Sequence, residues 1–399
     1  MEELKISEVY RAQQVLKDVA RHPRLIGPTN LVKDTQVYLK PENLQHTGSF
    51  KLRGAYYKIS QLSPEEKAKG VIACSAGNHA QGVALGAARN GIKALICLPA
   101  GAPLSKVEAT KALGAEVCLV DGVYDDAYNK AIELRDKEGY TFVHPFDDPL
   151  VIAGQGTIGL EILEEMPDVE AIIVPIGGGG LIAGVAFTVK TLRPDIKVYG
   201  VQAAGAPSMA DSLRNGDRIR LDNVSTIADG IAVKEPGTLT YEACREYVDE
   251  VVTVTEDEIA AAILALIEKQ KLVSEGAGAV SVAAAMFGKL PIAGKKVVCL
   301  VSGGNIDVSI LNRVITRGLT KSGRICTLTL DLNDKPGQLS AVCDIIGRYG
   351  GNILSVAHGR TTGKGGINNC ELHVELETRN SEHVAQIHDA LKEAGYQIL

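Results

Sequence analysis

The stretch AIIVPIGGGGLIAGVAFTVKTL, residues 171–192, decides the fold class. A short, continuously apolar run that stops at glycine reads as a strand buried on both faces. Four glycines then make a tight turn, and GLIAGVAFTVKTL has the length and apolarity of a covering helix. Strand, glycine turn and helix together are half of a βαβ unit.

The same grammar recurs on either side. VIACS (71–75) runs into NHAQGVALGAARNG, KALICLP (93–99) into LSKVEATKALGA, and KVVCLVS (296–302) into NIDVSILNRVIT, while KVYGVQ (197–202) adds a strand. Strands alternating with helices of this length predict an α/β fold of open parallel sheets. Composition agrees: the 399 residues hold 42 Gly, 5 Phe, 12 Tyr and no Trp, so the core must be built from Val, Ile, Leu and Ala. The length favours more than one domain. A net charge of −6 argues against nucleic acid or an anionic membrane surface as partner. No run of 18 apolar residues occurs and the first 22 residues mix charges throughout, which predicts a cytoplasmic chain with no membrane span. The eight cysteines show no metal-binding spacing and read as small buried hydrophobes in a reducing compartment.

Near residues 321–323 the pattern changes. ICTLTLDLN (325–333) alternates apolar and polar residues, as a half-exposed antiparallel strand does. A helix (QLSAVCDIIGRYG), two more strands (NILSVAHGR and NNCELHVELET) flanking a Gly-rich turn, a last helix (SEHVAQIHDALKEAG) and a short YQIL complete a ferredoxin-like βαββαβ unit. Four of the eight histidines (His358, His373, His383, His388) lie here, in no metal-binding spacing, and read as solvated surface.

Four segments carry groups suited to chemistry. The glycine loop (Gly177, Gly178, Gly179, Gly180, then Leu181) presents bare backbone N–H groups at a helix N-terminus, a cradle for phosphate. It lacks the Gly-Lys-Ser/Thr of a P-loop, and KVYGVQ ends in Gln202 where a dinucleotide fold would place an acid. In TGSFKLRGA (47–55), Lys51 sits between Phe50 and Leu52, where partial desolvation would lower its pKa and make it a nucleophile toward aldehydes. In CSAGNHAQG (74–82), Ser75, Gly77, Asn78 and His79 follow a strand end, though Asn78 also suits a helix cap and His79 a structural role. In VVCLVSGGNID (297–307), Ser302 precedes two glycines. An amine, a phosphate cradle, an anion-sized nest and an isolated hydroxyl at strand ends are what pyridoxal 5′-phosphate requires.

SFKLRGA, SAGNHAQG, GGGGL and SGGN, in this order, resemble the fold-type II pyridoxal-phosphate enzymes, and more narrowly the threonine dehydratases (threonine ammonia-lyases). The resemblance covers roughly residues 5–318 and implies a two-lobed catalytic region over 1–320, with a small lobe at about 45–148 inserted in the large one. It makes Lys51 the Schiff-base lysine and general base, with Phe50 beside it, and Asn78 the partner of the ring hydroxyl. Gly177, Gly178, Gly179, Gly180 and Leu181 become the phosphate holders, and Ser302 the group facing the pyridine nitrogen. Ser75, Ala76, Gly77 and His79 fall in the loop gripping the substrate carboxylate. The implied reaction is α,β-elimination from threonine or serine to a 2-oxo acid and ammonia. Serine racemases resemble the same loop but place a serine where this chain has Ala76, which favours elimination. A serine dehydratase or racemase, or a catalytically silent amino-acid sensor, remain the alternatives. The tail (325–399), with DKPGQL at 334–339, resembles an ACT domain. That implies control by an amino acid such as isoleucine or valine, bound between paired tails near Gly337 and Asn352; a pure dimerisation module is the alternative. A homo-oligomer, dimer or tetramer, is the family-level expectation. No metal ligands are assigned.

Overall fold

The computed structural model describes residues 4–359 and 369–399, apart from the side chain of Ser105; the Gly-rich turn expected after NILSVAHGR lies outside the described residues. By packing, the chain divides into two units, Met1–Asp307 and Val308–Leu399.

The strands of the first unit are β1 (Ile26–Thr29), β2 (Gln36–Pro41), β3 (Val71–Cys74), β4 (Ala94–Pro99), β5 (Glu116–Val120), β6 (Thr141–Phe142), β7 (Ala171–Pro175), β8 (Lys197–Ala203), β9 (Glu250–Val254) and β10 (Lys296–Val301). They form two sheets, ordered β1-β2-β10-β7-β8-β9 and β5-β4-β3-β6. Every pairing is parallel except β1 with β2. The second sheet lies in the chain between β2 and β7, so it is an insertion in the first.

Strand order locates the crevices. From β7 the chain proceeds outward through β8 and β9, then returns to place β10 on the other flank of β7. From β3 it proceeds through β4 and β5, then returns to place β6 on the other flank of β3. Each reversal is a topological switch point, where loops leaving the strand C-termini diverge and leave room for a ligand.

The large-sheet core is aliphatic: Ile172, Val174, Ile182, Val185, Val198, Val298 and Leu300 are all fully buried. Each such side chain contributes about 1.5–3 kcal/mol on leaving water. In the inserted lobe, small residues allow closer approach. Gly82 of the helix Asn78–Arg89 lies against the first turn of the helix Lys51–Ser60, where an added Cβ would sit 3.0 Å from the Lys51 carbonyl carbon.

The second unit contains β11 (Ile325–Asn333), β12 (Asn352–Gly359), β13 (Asn369–Glu377) and β14 (Gln397–Ile398), an antiparallel sheet ordered β12-β13-β11-β14. With the helices Gln338–Arg348 and Ser381–Glu393 this is the βαββαβ arrangement read from the sequence. The helix Val308–Lys321 goes with this unit and packs against β11. One expectation fails here. His383 is buried rather than solvated: its Nε2 meets the Tyr349 carbonyl at 2.8 Å and its Nδ1 accepts from the Arg379 amide at 3.1 Å.

Candidate active site

The glycine loop leaves β7 and the Ser302 loop leaves β10, so both flank the switch point of the large sheet. The Ser75–His79 loop leaves β3, and residues 143–147 leave β6, flanking the switch point of the inserted sheet. Four contacts draw these loops together. Lys51 Nζ donates to the Pro145 carbonyl at 2.7 Å. Phe146 packs on the glycine loop, where a Cβ on Gly178 would meet its ring at 2.4 Å. Asn78 Nδ2 donates to Glu275 at 2.6 Å, and Asn305 Nδ2 donates to Asn78 Oδ1 at 2.7 Å.

Lys51 opens its helix, tied to the Ser302 loop by the Phe50 amide, which donates to the Ser302 carbonyl at 3.1 Å. Its direction is set two residues on. Arg53, fully buried, donates to Glu42 at 2.8 and 2.9 Å and to Glu161 at 2.5 and 2.9 Å, while Lys40 Nζ meets Glu161 at 2.6 Å. This buried cluster pins the helix to β2 and to the helix Pro149–Glu165. Burial pulls the Lys51 pKa down to about 8, opposed by the nearby Glu275 carboxylate. A lowered pKa raises the neutral fraction of the amine, the form that acts as nucleophile and base.

Asn78 is the first residue of its helix; the cap is Gly77, and no side chain caps the turn. The capping reading therefore gives way to a positioned amide. Asn305 Nδ2 also donates to the Thr47 carbonyl at 2.8 Å, so it is a donor, and the Asn78 atom facing it must be the acceptor. Asn78 Nδ2 thus faces Glu275 and keeps a second N–H for another partner. Glu275, only 4% exposed, is pushed up to about 7 by burial and by Asp229, against the stabilising Asn78 bond.

Ser302 is buried and its Oγ donates to the Ala277 carbonyl at 3.3 Å. Ser75 Oγ accepts from the Gly77 amide at 3.1 Å, and Ala76 and Gly77 are half-buried beside it. His79 is placed otherwise than a carboxylate-gripping side chain would be. It is 3% exposed, bonded through Nε2 to the Val143 carbonyl at 2.8 Å, and held near pKa 3 by burial and the Lys51 charge. The imidazole is neutral and joins the β3 and β6 loops. His144 shapes the other side, its Nδ1 accepting from the Asp147 amide at 2.8 Å.

In the glycine loop, Gly179 adopts φ +98°, a left-handed conformation that glycine accepts readily, and a Cβ there would meet Met209 and Thr240 at 2.8 Å. Thr240 Oγ1 donates to the Gly178 carbonyl at 2.6 Å, tying the glycine loop to the helix Thr238–Tyr247. Among the described residues, the amides of Gly177, Gly178 and Gly179 have no backbone carbonyl partner. Leu181 is buried in the first turn of the following helix. Free amides at a helix N-terminus, an amine of lowered pKa and a spare Asn78 N–H fit a phosphorylated aldehyde carrying a phenolic oxygen.

The fold and the site define a pyridoxal-phosphate enzyme. The family described as "Pyridoxal-phosphate dependent enzyme" matches residues 23–303, and the chain belongs to it; the ACT domain matches residues 327–392. The chain is 50% identical over 395 residues to the L-threonine ammonia-lyase of Thermotoga maritima, covering 98% of each. Among solved structures it is similar to the processed form of threonine deaminase isoform 2 from Solanum lycopersicum, with 42% identity, TM-score 0.73, and 78% of this chain and 93% of that one covered. It is also similar to maize serine racemase, with 34% identity, TM-score 0.75, and 80% and 98% covered.

Sequence reasoning missed Glu275, Asn305, Arg53 and Pro145. The signal for Glu275 was present in SEGAGAVSVAAAM (274–286), where one acid opens an otherwise apolar helix. Among the described residues, no helix is long and apolar enough to cross a membrane.

Proposed function

We propose that this chain deaminates L-threonine, with L-serine as a second substrate, by α,β-elimination to a 2-oxo acid and ammonia. The observation that carries this reading is Lys51, an amine of lowered pKa pointing at the meeting place of four loops, in a chain collinear with an L-threonine ammonia-lyase.

When bound, pyridoxal phosphate supplies an electron-withdrawing ring that stabilises negative charge at the substrate Cα. Lys51 would hold its aldehyde carbon with Phe50 alongside, the amides of 177–181 its phosphate, Asn78 its phenolic oxygen and Ser302 its ring nitrogen. Lys51 in its neutral form would take the substrate Cα proton as general base and would then supply a proton to the departing β-hydroxyl. Asn78 is kept in one orientation by Glu275 and Asn305. Ser302 is a hydroxyl that does not ionise near neutral pH, so it does not hold a proton on the ring as a carboxylate would. That environment would favour prompt loss of the β-hydroxyl. Ala76 offers no group to move a proton on the opposite face, which separates this chain from a racemase. Turnover of L-threonine, L-serine and D-serine, followed as 2-oxo acid and as inverted serine, tests the reading. Racemisation outrunning elimination would overturn it.

The second unit supports control by an amino acid of the isoleucine or valine kind. Gly337 (φ +88°) caps the helix Gln338–Arg348 just beyond the Asn333 end of β11. Asn352 lies at the other end of the sheet, opposite Glu377, which itself pairs with Ile325. Eight residues of strand, about 26 Å, separate these ends. One copy therefore does not bring Gly337 and Asn352 together, and an effector contacting both requires paired tails in a homo-oligomer. A cytoplasmic setting fits a chain with free cysteines at every cysteine position. Change in threonine turnover on adding each amino acid, with mass measured in solution, tests this part.

A further inference from the structure

At one end of the second sheet three adjacent strands place three different metal-binding side chains together. β13 is flanked by β12 and β11. Cys370, near the start of β13, lies opposite Leu332 of β11; Asp334 follows two residues later, and His358 stands near the end of β12. The ligating atoms of Asp334, His358 and Cys370 all lie within 4.8 Å of one another. His358 Nε2 is 3.0 Å from Cys370 Sγ, and that thiol also approaches the Leu332 carbonyl at 3.6 Å. These residues line a cleft of about 370 Å³ with the turn 333–339.

We infer that Asp334, His358 and Cys370 form a binding site for a divalent metal of the zinc class. One thiolate, one imidazole and one carboxylate suit a borderline-soft ion better than magnesium or calcium, which prefer oxygen alone. A tetrahedral ion with bonds of about 2.0–2.3 Å needs donors roughly 3.3–3.8 Å apart. Cys370 is 2% exposed and fixed in the central strand, whereas Asp334 and His358 are exposed, so the remaining adjustment falls to the two surface side chains. Binding replaces the Cys370 S–H bond with a metal–sulfur bond, and the proton leaves to bulk water; no oxidant or reductant takes part. Among the described residues three side chains supply ligands, which leaves the fourth tetrahedral position for an exchangeable ligand such as water. Sequence spacing hid it, because 24 residues separate Asp334 from His358 and 12 separate His358 from Cys370.

The test uses the full-chain holoenzyme, stripped with a chelator, dialysed against buffered zinc and assayed for bound metal. One zinc per chain beyond background is expected, with at least a tenfold loss of affinity in Cys370→Ser and in His358→Gln, and unchanged threonine turnover without effector in both. Cobalt in place of zinc should give a thiolate charge-transfer band in the difference spectrum that Cys370→Ser abolishes. Wild-type protein retaining no more zinc than the Cys370→Ser/His358→Gln double variant would overturn the site. So would an equal loss in His373→Gln. Should Cys370→Ser not fold, the exposed His358→Gln decides alone.

Discussion

Asn78 Nδ2 and Glu275 Oε1 lie 2.6 Å apart across 197 residues of sequence, joining the first turn of a small-lobe helix to the cap of a large-lobe helix. The bond does two things. It orients the amide proposed to meet the cofactor, and it places a carboxyl of raised pKa beside Gly303, where a Cβ would sit 2.4 Å from Glu275 Oε1.

Replacing Glu275 with Gln keeps an acceptor for Asn78 and removes the buried charge. Below pH 4.5 the wild-type carboxyl is protonated folded and unfolded alike. Between 4.5 and about 7 the unfolded chain releases its proton first, so stability declines as pH rises and stays lower above 7. Cofactor-free Glu275→Gln should lose this decline and be more stable above pH 7, by at most about 3 kcal/mol. Denaturant melts at pH 5 and 8 measure it; equal pH dependence in both proteins would remove the assignment.

Lys51→Ala removes the amine that binds the aldehyde and takes the proton. Turnover should fall by at least about 10⁴-fold, and the yellow covalent chromophore should vanish while the fold persists by circular dichroism. In the cofactor-free wild type, the rate of pyridoxal-phosphate incorporation should rise with pH and level off above about 8, as Lys51 becomes neutral. An unchanged chromophore in Lys51→Ala would discard the assignment.

Arg53→Met leaves Glu42 and Glu161 buried without their shared guanidinium. Breaking one side of a buried ion cluster costs about 3–5 kcal/mol. Lys40 still meets Glu161, so Glu42 is the group left bare. A large drop in denaturation midpoint is expected, together with weaker cofactor retention, because the same helix begins at Lys51.

Ala76→Ser places a hydroxyl in the half-buried turn between Ser75 and Gly77. Solvent hydrogen should then enter serine at Cα with inversion, at a rate above the wild-type background, while elimination persists. Deuterium incorporation and chiral chromatography report the two outcomes separately. No gain in inversion would mean that residue 76 does not face the substrate.

The local layers of this molecule were legible in the chain. AIIVP and GLIAGVAFTVKTL are the strand Ala171–Pro175 and the helix Gly180–Leu192, and ICTLTLDLN is β11 to the residue. Their signals are short-range: apolar runs, alternation and glycine turns depend only on neighbours in sequence. EVVTV (β9) and the two-residue β6 passed unread, being short and half-exposed, and strand order could not be read at all.

Sequence alone therefore determined the α/β class, the appended antiparallel tail, and which turns carry an amine, a hydroxyl, an amide and a glycine cradle. Only the tertiary structure decided which of those groups meet. It set Asn78 between Glu275 and Asn305, pinned the Lys51 helix through Arg53, turned His79 onto Val143, and gathered Asp334, His358 and Cys370 at one sheet end. The physical reason is that a side chain's type is local, whereas its partner, burial and pKa come from strands and loops brought together by sheet order across separations that range from 12 to 227 positions.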